Sequence, residues 1–230
     1  MHRERGTPSP FPREKGEGTI LPPRRTPEKD MDLPPSDSKT RKPAVVLDLD
    51  GTILDRNLRE SLKLYLLPSS RTGRIFSRAG EALKRLSRKA ELLGVTARCF
   101  LASGNTRRWL QAQGLPPFPV FHAPFFLVRE KARLLFKRRC LRRLKQEGYR
   151  LALGVGDRGS DLEAYLEEGL FPVLLVPKPG GSRHKVLEEK IRSLGLAEGK
   201  DFVLFSRKGE GDTLWQEAGA WIERKLEDAG

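Results

Sequence analysis

At 230 residues, 37% of them hydrophobic, the chain has apolar surface for one substantial core and, at ~100–200 residues per domain, for one folded domain with a tail. Its 44 Lys and Arg against 30 Asp and Glu leave a net charge of +14, which suits nucleic acid or an anionic membrane surface, although arginine enrichment also fits a high growth temperature or a genome's composition. Apolar runs such as 171–177 are too short for a bilayer, the charged start has no apolar signal core, and the cysteines and histidines are too few and scattered for a disulfide framework or a ligand cluster, so the expectation is a soluble cytoplasmic protein.

Residues 1–43 hold nine of the 17 prolines, ten basic and seven acidic side chains and hardly any apolar pairs. Such a segment cannot bury enough surface to offset its chain entropy, so it reads as a disordered tail, with the folded domain over 44–230. From Ala44 onward short apolar runs alternate with amphipathic segments, the pattern of βα units around a mostly parallel sheet. The expected strands are 44–49, 97–102, 119–121, 151–155, 172–176 and 202–205. Helices are expected over Ser77–Leu93, Thr106–Gln113, 129–147, 160–168, 185–194 and 212–228. In the last of these, Leu214, Trp215, Ala218, Trp221, Ile222 and Leu226 form one apolar stripe that reads as core packing.

Three strand ends carry chemistry. The run Ala44-Val45-Val46-Leu47 finishes in Asp48 and Asp50, followed by Gly51 and Thr52. On a regular strand the two acids share a face, and the Gly-Thr turn releases them into an open loop. A close carboxylate pair at the carboxyl end of a buried strand repels itself unless a hard cation such as Mg²⁺ or a shared proton relieves it. Taken alone, the pair also reads as a solvated turn. The next strand ends in Ser103-Gly104-Asn105, whose hydroxyl and free amides suit a phosphate oxygen but equally suit a helix cap. Another strand runs into Gly156-Asp157-Arg158-Gly159-Ser160-Asp161, with Asp157 on the strand tip and Asp161 also readable as a first-turn helix acid.

Together, VVLDLDGTIL, CFLASGN, a lysine in the helix 129–147 and LGVGDRGSDLEAY resemble the four motifs of the haloacid dehalogenase (HAD) superfamily of phosphohydrolases, in that family's order, over roughly residues 44–176. The resemblance implies a three-layer α/β/α Rossmann-like fold and a phosphatase. Asp48 would be the nucleophile that becomes an aspartyl phosphate, and Asp50 the general acid and then base. Ser103, with Gly51, Thr52, Gly104 and Asn105 around it, would hold the substrate. Mg²⁺ would sit between Asp48, the Asp50 carbonyl and Asp157, with Asp161 as a further acid. Lys131 and Lys137 each have apolar neighbours three or four residues on. The setting FKRRCLRRL is similar to the lysine helix of lipin-type phosphatases, which favours Lys137 as the catalytic lysine.

Residues 53–96 and 104–128 leave little room for the cap domain many family members insert, so an open site and a macromolecular phosphoester are expected. Between Arg129 and Lys145, nine basic residues stand against Glu130 alone. They read as a phosphate track or as the solvated face of a helix that packs Leu134, Leu135, Phe136, Cys140, Leu141 and Leu144 inward; the second is preferred, since no aromatic residues are interleaved for base stacking. The alternative function is a catalytically idle HAD-like module that binds nucleic acid or anionic surfaces. Retention of Asp48, Asp50 and Asp157 together argues against it, because like charges without a cation only destabilise.

Overall fold

The computed structural model describes residues 42–55, 74–127, 129–207 and 213–228. The expected tail, apart from Lys42 and Pro43, and much of the segment between the first strand and first helix lie outside these. Six strands form one parallel sheet: β1 (Ala44–Leu47), β4 (Glu91–Cys99), β5 (Val120–Ala123), β6 (Leu151–Gly156), β7 (Phe171–Val176) and β8 (Val203–Ser206), in the order β5-β4-β1-β6-β7-β8. A small antiparallel ribbon, β2 (Leu54–Asp55) with β3 (Arg74–Ile75), leads away from the end of β1. The helices are α1 (Ala79–Lys89), α2 (Ser103–Ala112), α3 (Glu130–Gln146), α4 (Gly159–Glu167), α5 (Ser182–Ser193) and α6 (Leu214–Asp228).

Residue alternation on the strands builds the layers. On β7, Val173 and Leu175 enter the larger core with α1 and α6, while Leu174 and Val176 enter a second cluster with Leu162 of α4 and Leu187 of α5. Helices therefore cover both faces, which is why β1 and β7 read as nearly unbroken apolar runs. From β1 the chain builds outward to β4 and β5, then returns to add β6, β7 and β8 on the other side. The carboxyl end of β1 is thus the point where the strand order reverses, the crevice in which open α/β sheets bind ligands.

The expected elements recur, with one substantial correction. The helix expected over Ser77–Leu93 ends at Lys89, and the strand expected at 97–102 runs over Glu91–Cys99, followed by a 3₁₀ turn at Phe100–Ala102. The run from Leu92 to Val95 is buried on all sides, a condition that helical and strand periodicity do not distinguish. On α3, Leu135 is exposed, contrary to expectation, because the inward face is Lys137, Cys140, Leu141 and Leu144. Much of that helix's charge is met within the chain: Arg138 pairs with Glu167, and Arg142 and Lys145 reach the buried Glu168. No helix among the described residues is long and apolar enough to cross a membrane.

Candidate active site

Asp48 follows the last residue of β1, and its amide extends the ladder by bonding to Val155 O at 2.9 Å. This sets it level with the end of β6, where Asp157 follows Gly156. The chain then turns into α4, and the Asp161 carboxylate caps it: Oδ2 accepts from the amides of Asp157 and Arg158, both at 3.2 Å. Glu130 Oε1, from the first turn of α3, accepts from the Ser160 amide at 2.9 Å. Across from these, α3 delivers Lys137. Its ammonium, 2% exposed, bonds Asp48 Oδ1 at 2.7 Å and Asp161 Oδ1. Lys131, about one and two-thirds turns earlier, is exposed.

Two glycines make this closeness feasible. Gly51 has φ +93°, and a Cβ there would stand 2.1 Å from Asp157 Oδ2. At Gly156 a Cβ would meet Asp161 Cβ at 2.5 Å. The larger scaffold also grips the turn: Trp215 Nε1, on α6, bonds Thr52 O at 2.7 Å.

Three buried acids gather beside one buried lysine, and Arg158 and Arg183 reach Asp157 from the more exposed rim. Asp157 is pushed up to about 7, first by burial and then by Asp48, against the opposing pull of Arg158. Asp48 rises to about 6, again by burial first, although Lys137 opposes the rise. Burial is also the largest influence on Lys137 and would lower it, but Asp161 and Asp48 outweigh it and keep the ammonium charged. Carboxylate oxygens of Asp48, Asp157 and Asp161 lie within 4.8 Å of one another. Asp157 Oδ1 is buried with no hydrogen-bond partner. Three hard oxygen donors this close, one of them with no hydrogen bond, fit a Mg²⁺-type cation. Asp161, with both oxygens already accepting, ranks behind Asp48 and Asp157 as a ligand.

Asp50 goes elsewhere. The pair expected to emerge together into an open loop is divided instead: Asp48 is buried against Lys137, while Arg98 of β4 grips both oxygens of Asp50, with Nε at 2.7 Å and Nη2 at 2.6 Å. The carboxylate of Asp50 therefore stands outside the cluster of Asp48, Asp157 and Asp161. Ser103 opens α2 beyond the end of β4 and lines a cavity of about 660 Å³ with Arg107, Phe118 and His122. Burial, then Arg98, lowers the His122 pKa to about 4, so this side chain is neutral. Gly104 is exposed, and Asn105 accepts from Arg108 at 2.9 Å on its own helix. Thr52, expected on the substrate, is fully buried with its hydroxyl enclosed, because the turn folds it under the sheet edge against α6.

Residues missed in the sequence complete the rim. Arg183, at the start of α5, bonds Asp157 Oδ2 at 3.2 Å, and together with Lys178, Phe76 and Gly51 it lines a cavity of about 210 Å³. Arg98 left a signal: a charged residue in a strand that reads as buried must have a partner.

No protein-family model matches the chain, and no curated protein matches it significantly. Solved structures do. D,D-heptose 1.7-bisphosphate phosphatase from B. bronchiseptica, solved with magnesium and phosphate, is 19% identical with a TM-score of 0.50, over 79% of this chain and 99% of that one. A putative HAD-like phosphatase from Mesorhizobium loti is 18% identical with a TM-score of 0.51, over 82% and 88%. An uncharacterized protein from Listeria monocytogenes serotype 4b, 12% identical, gives 0.53 over 81% and 99%. At these identities the likeness establishes the fold, a mostly parallel α/β sheet with helices on both faces, as in HAD-like phosphatases.

Proposed function

We propose that the protein is a Mg²⁺-dependent phosphohydrolase of the HAD superfamily that works through a phosphorylated Asp48. The observation that carries this reading is the placement of Asp48 at the strand-order reversal, in contact with a buried lysine and within ligand distance of Asp157. Asp48, Asp157 and the Asp50 carbonyl, with Asp161 as a further acid, would hold a divalent cation, which would supply charge neutralisation for the transferring phosphoryl group.

The chain's own residues do the rest. Asp48 attacks phosphorus, while Lys137 fixes the carboxylate and offsets its charge. Asp50 protonates the departing oxygen and then takes a proton from the water that hydrolyses the aspartyl phosphate. Between the strands of the sheet the described residues carry single helices and no inserted domain, which supports a site open to a bulky, macromolecular phosphoester. Cys99 and Cys140 are free and buried, as suits the cytoplasm. The idle-module reading is not favoured, since three buried acids with oxygens within 4.8 Å of one another repel, at a cost that a binding surface elsewhere on the chain gives no reason to keep.

The test is turnover of p-nitrophenyl phosphate with and without Mg²⁺, by wild type and by Asp48→Asn, together with mass spectrometry of the acid-quenched enzyme. Mg²⁺-dependent turnover, a phosphoryl adduct on the Asp48 peptide and complete loss in the variant are expected. Turnover by Asp48→Asn at even a few per cent of wild type would remove Asp48 as nucleophile.

A further inference from the structure

Arg98 is 2% exposed, as deeply buried as Lys137, yet it lies outside the acid cluster and no motif includes it. It stands where β4 breaks register with β5. Thr96 pairs with His122 and Cys99 with Ala123, so Ala97 and Arg98 are extra residues opposite none. Such a bulge re-aims a side chain that regular alternation would send elsewhere. Here it sends the guanidinium beneath Asp50, where Nε and Nη2 take one carboxylate oxygen each, at 2.7 and 2.6 Å. The remaining Nη1 reaches Thr106 Oγ1 at 3.2 Å, on α2, three residues after Ser103.

We propose that Arg98 is a positioning residue that fixes the Asp50 carboxylate relative to the phosphoryl site, by tying it to β4 on one side and to the helix that begins at Ser103 on the other. The inference rests on the phosphatase reading above. Asp50 needs such a hold, because it sits on a turn just before a glycine with positive φ, and its side chain is 28% exposed. Arginine stays protonated and so orients without exchanging protons. Stability alone does not explain the pair. A buried ion pair contributes little compared with apolar residues of like volume, whereas a misplacement of about 1 Å costs on the order of a hundredfold in rate.

The experiment compares kcat/KM, which reports phosphorylation of Asp48 and departure of the leaving group, for p-nitrophenyl phosphate and for glycerol phosphate with Mg²⁺. The aryl leaving group departs with little protonation, whereas the alkyl one needs the proton from Asp50. Arg98→Lys keeps the charge and loses the fork. It should lower kcat/KM for the alkyl ester by about a hundredfold and for the aryl ester less than about fivefold, with Mg²⁺ affinity unchanged. Thr106→Val, which cuts one tether and leaves the ion pair, should shift the ratio of the two in the same direction by about threefold. If Arg98→Lys fails to fold, the Thr106→Val ratio decides. Equal losses on both esters, or an unchanged ratio, overturn the proposal. A wild type inactive on both esters would overturn the phosphatase reading and this inference with it.

Discussion

Trp215 Nε1 donates a 2.7 Å hydrogen bond to the carbonyl of Thr52, joining α6 to the turn that carries Asp48 and Asp50, 163 residues away in sequence. Both partners are fully buried. Trp215→Phe leaves that carbonyl unpaired and opens a small void. A loss of about 2–4 kcal/mol in urea denaturation is expected, with a fall in phosphoester turnover beyond what unfolding explains. Trp221→Phe is the control. Trp221 is partly buried and stacks on Phe171 at 5.5 Å, far from the turn, so it should weaken the fold without touching turnover of the folded fraction.

The raised acids predict an unusual pH dependence. Asp48 at about 6 and Asp157 at about 7 both stand above their ordinary 3.8. A carboxyl with a raised folded pKa stabilises fully below its unfolded value, and that contribution is lost as pH rises through the folded one. Lys137, raised from 10.5, stays charged throughout this range and adds no slope. In EDTA the melting temperature should therefore fall between about pH 5 and pH 8, and Mg²⁺ should restore it at the upper end. Asp157→Asn cannot ionise. It should melt above wild type at about pH 8 in EDTA and gain little from Mg²⁺. A wild-type melting temperature that is flat over this range would show that the acids are not destabilised as described.

Lys137 and Lys131 lie on one helix but in opposite settings. Lys137→Met strands Asp48 and Asp161, at a cost of about 3–5 kcal/mol, and should abolish turnover. Lys131→Ala removes an exposed charge and should leave both the melting temperature and turnover unchanged. Comparable activity loss in the two variants would contradict the placement of α3.

What is legible in the sequence follows from how local each signal is. Asp48 and Asp157 end apolar runs, and a carboxylate at the tip of a buried strand points to a charged partner at that sheet edge. The sheet's direction follows from strands alternating with helices. The start of β4 is hidden, because a strand buried on both faces shows no period. Thr52 takes its expected role from its neighbours in the motif, whereas its burial depends on Trp215, far along the chain. The target of Arg98 is equally hidden, because its partner is chosen by a bulge, and a bulge is set by pairing with β5 rather than by the residues of β4 themselves. The division of Asp48 and Asp50 between two cations is invisible for the same reason.

Asp50→Ala tests that division through stability rather than rate. Removing a carboxylate from an acid cluster ordinarily relieves repulsion, and if Asp50 belonged to the group of Asp48 and Asp157 the variant would melt at or above wild type. Asp50 is instead the acceptor for two nitrogens of a guanidinium whose side chain is 1% exposed. Without it those donors lose both oxygens in a place water does not reach, and a cost of about 3–5 kcal/mol is expected. Adding Arg98→Met to Asp50→Ala removes the buried charge along with its partner, so the double variant should recover most of the lost stability and none of the turnover. A single Asp50→Ala variant as stable as wild type would mean that Arg98 does not depend on Asp50, and that the two do not form the pair described.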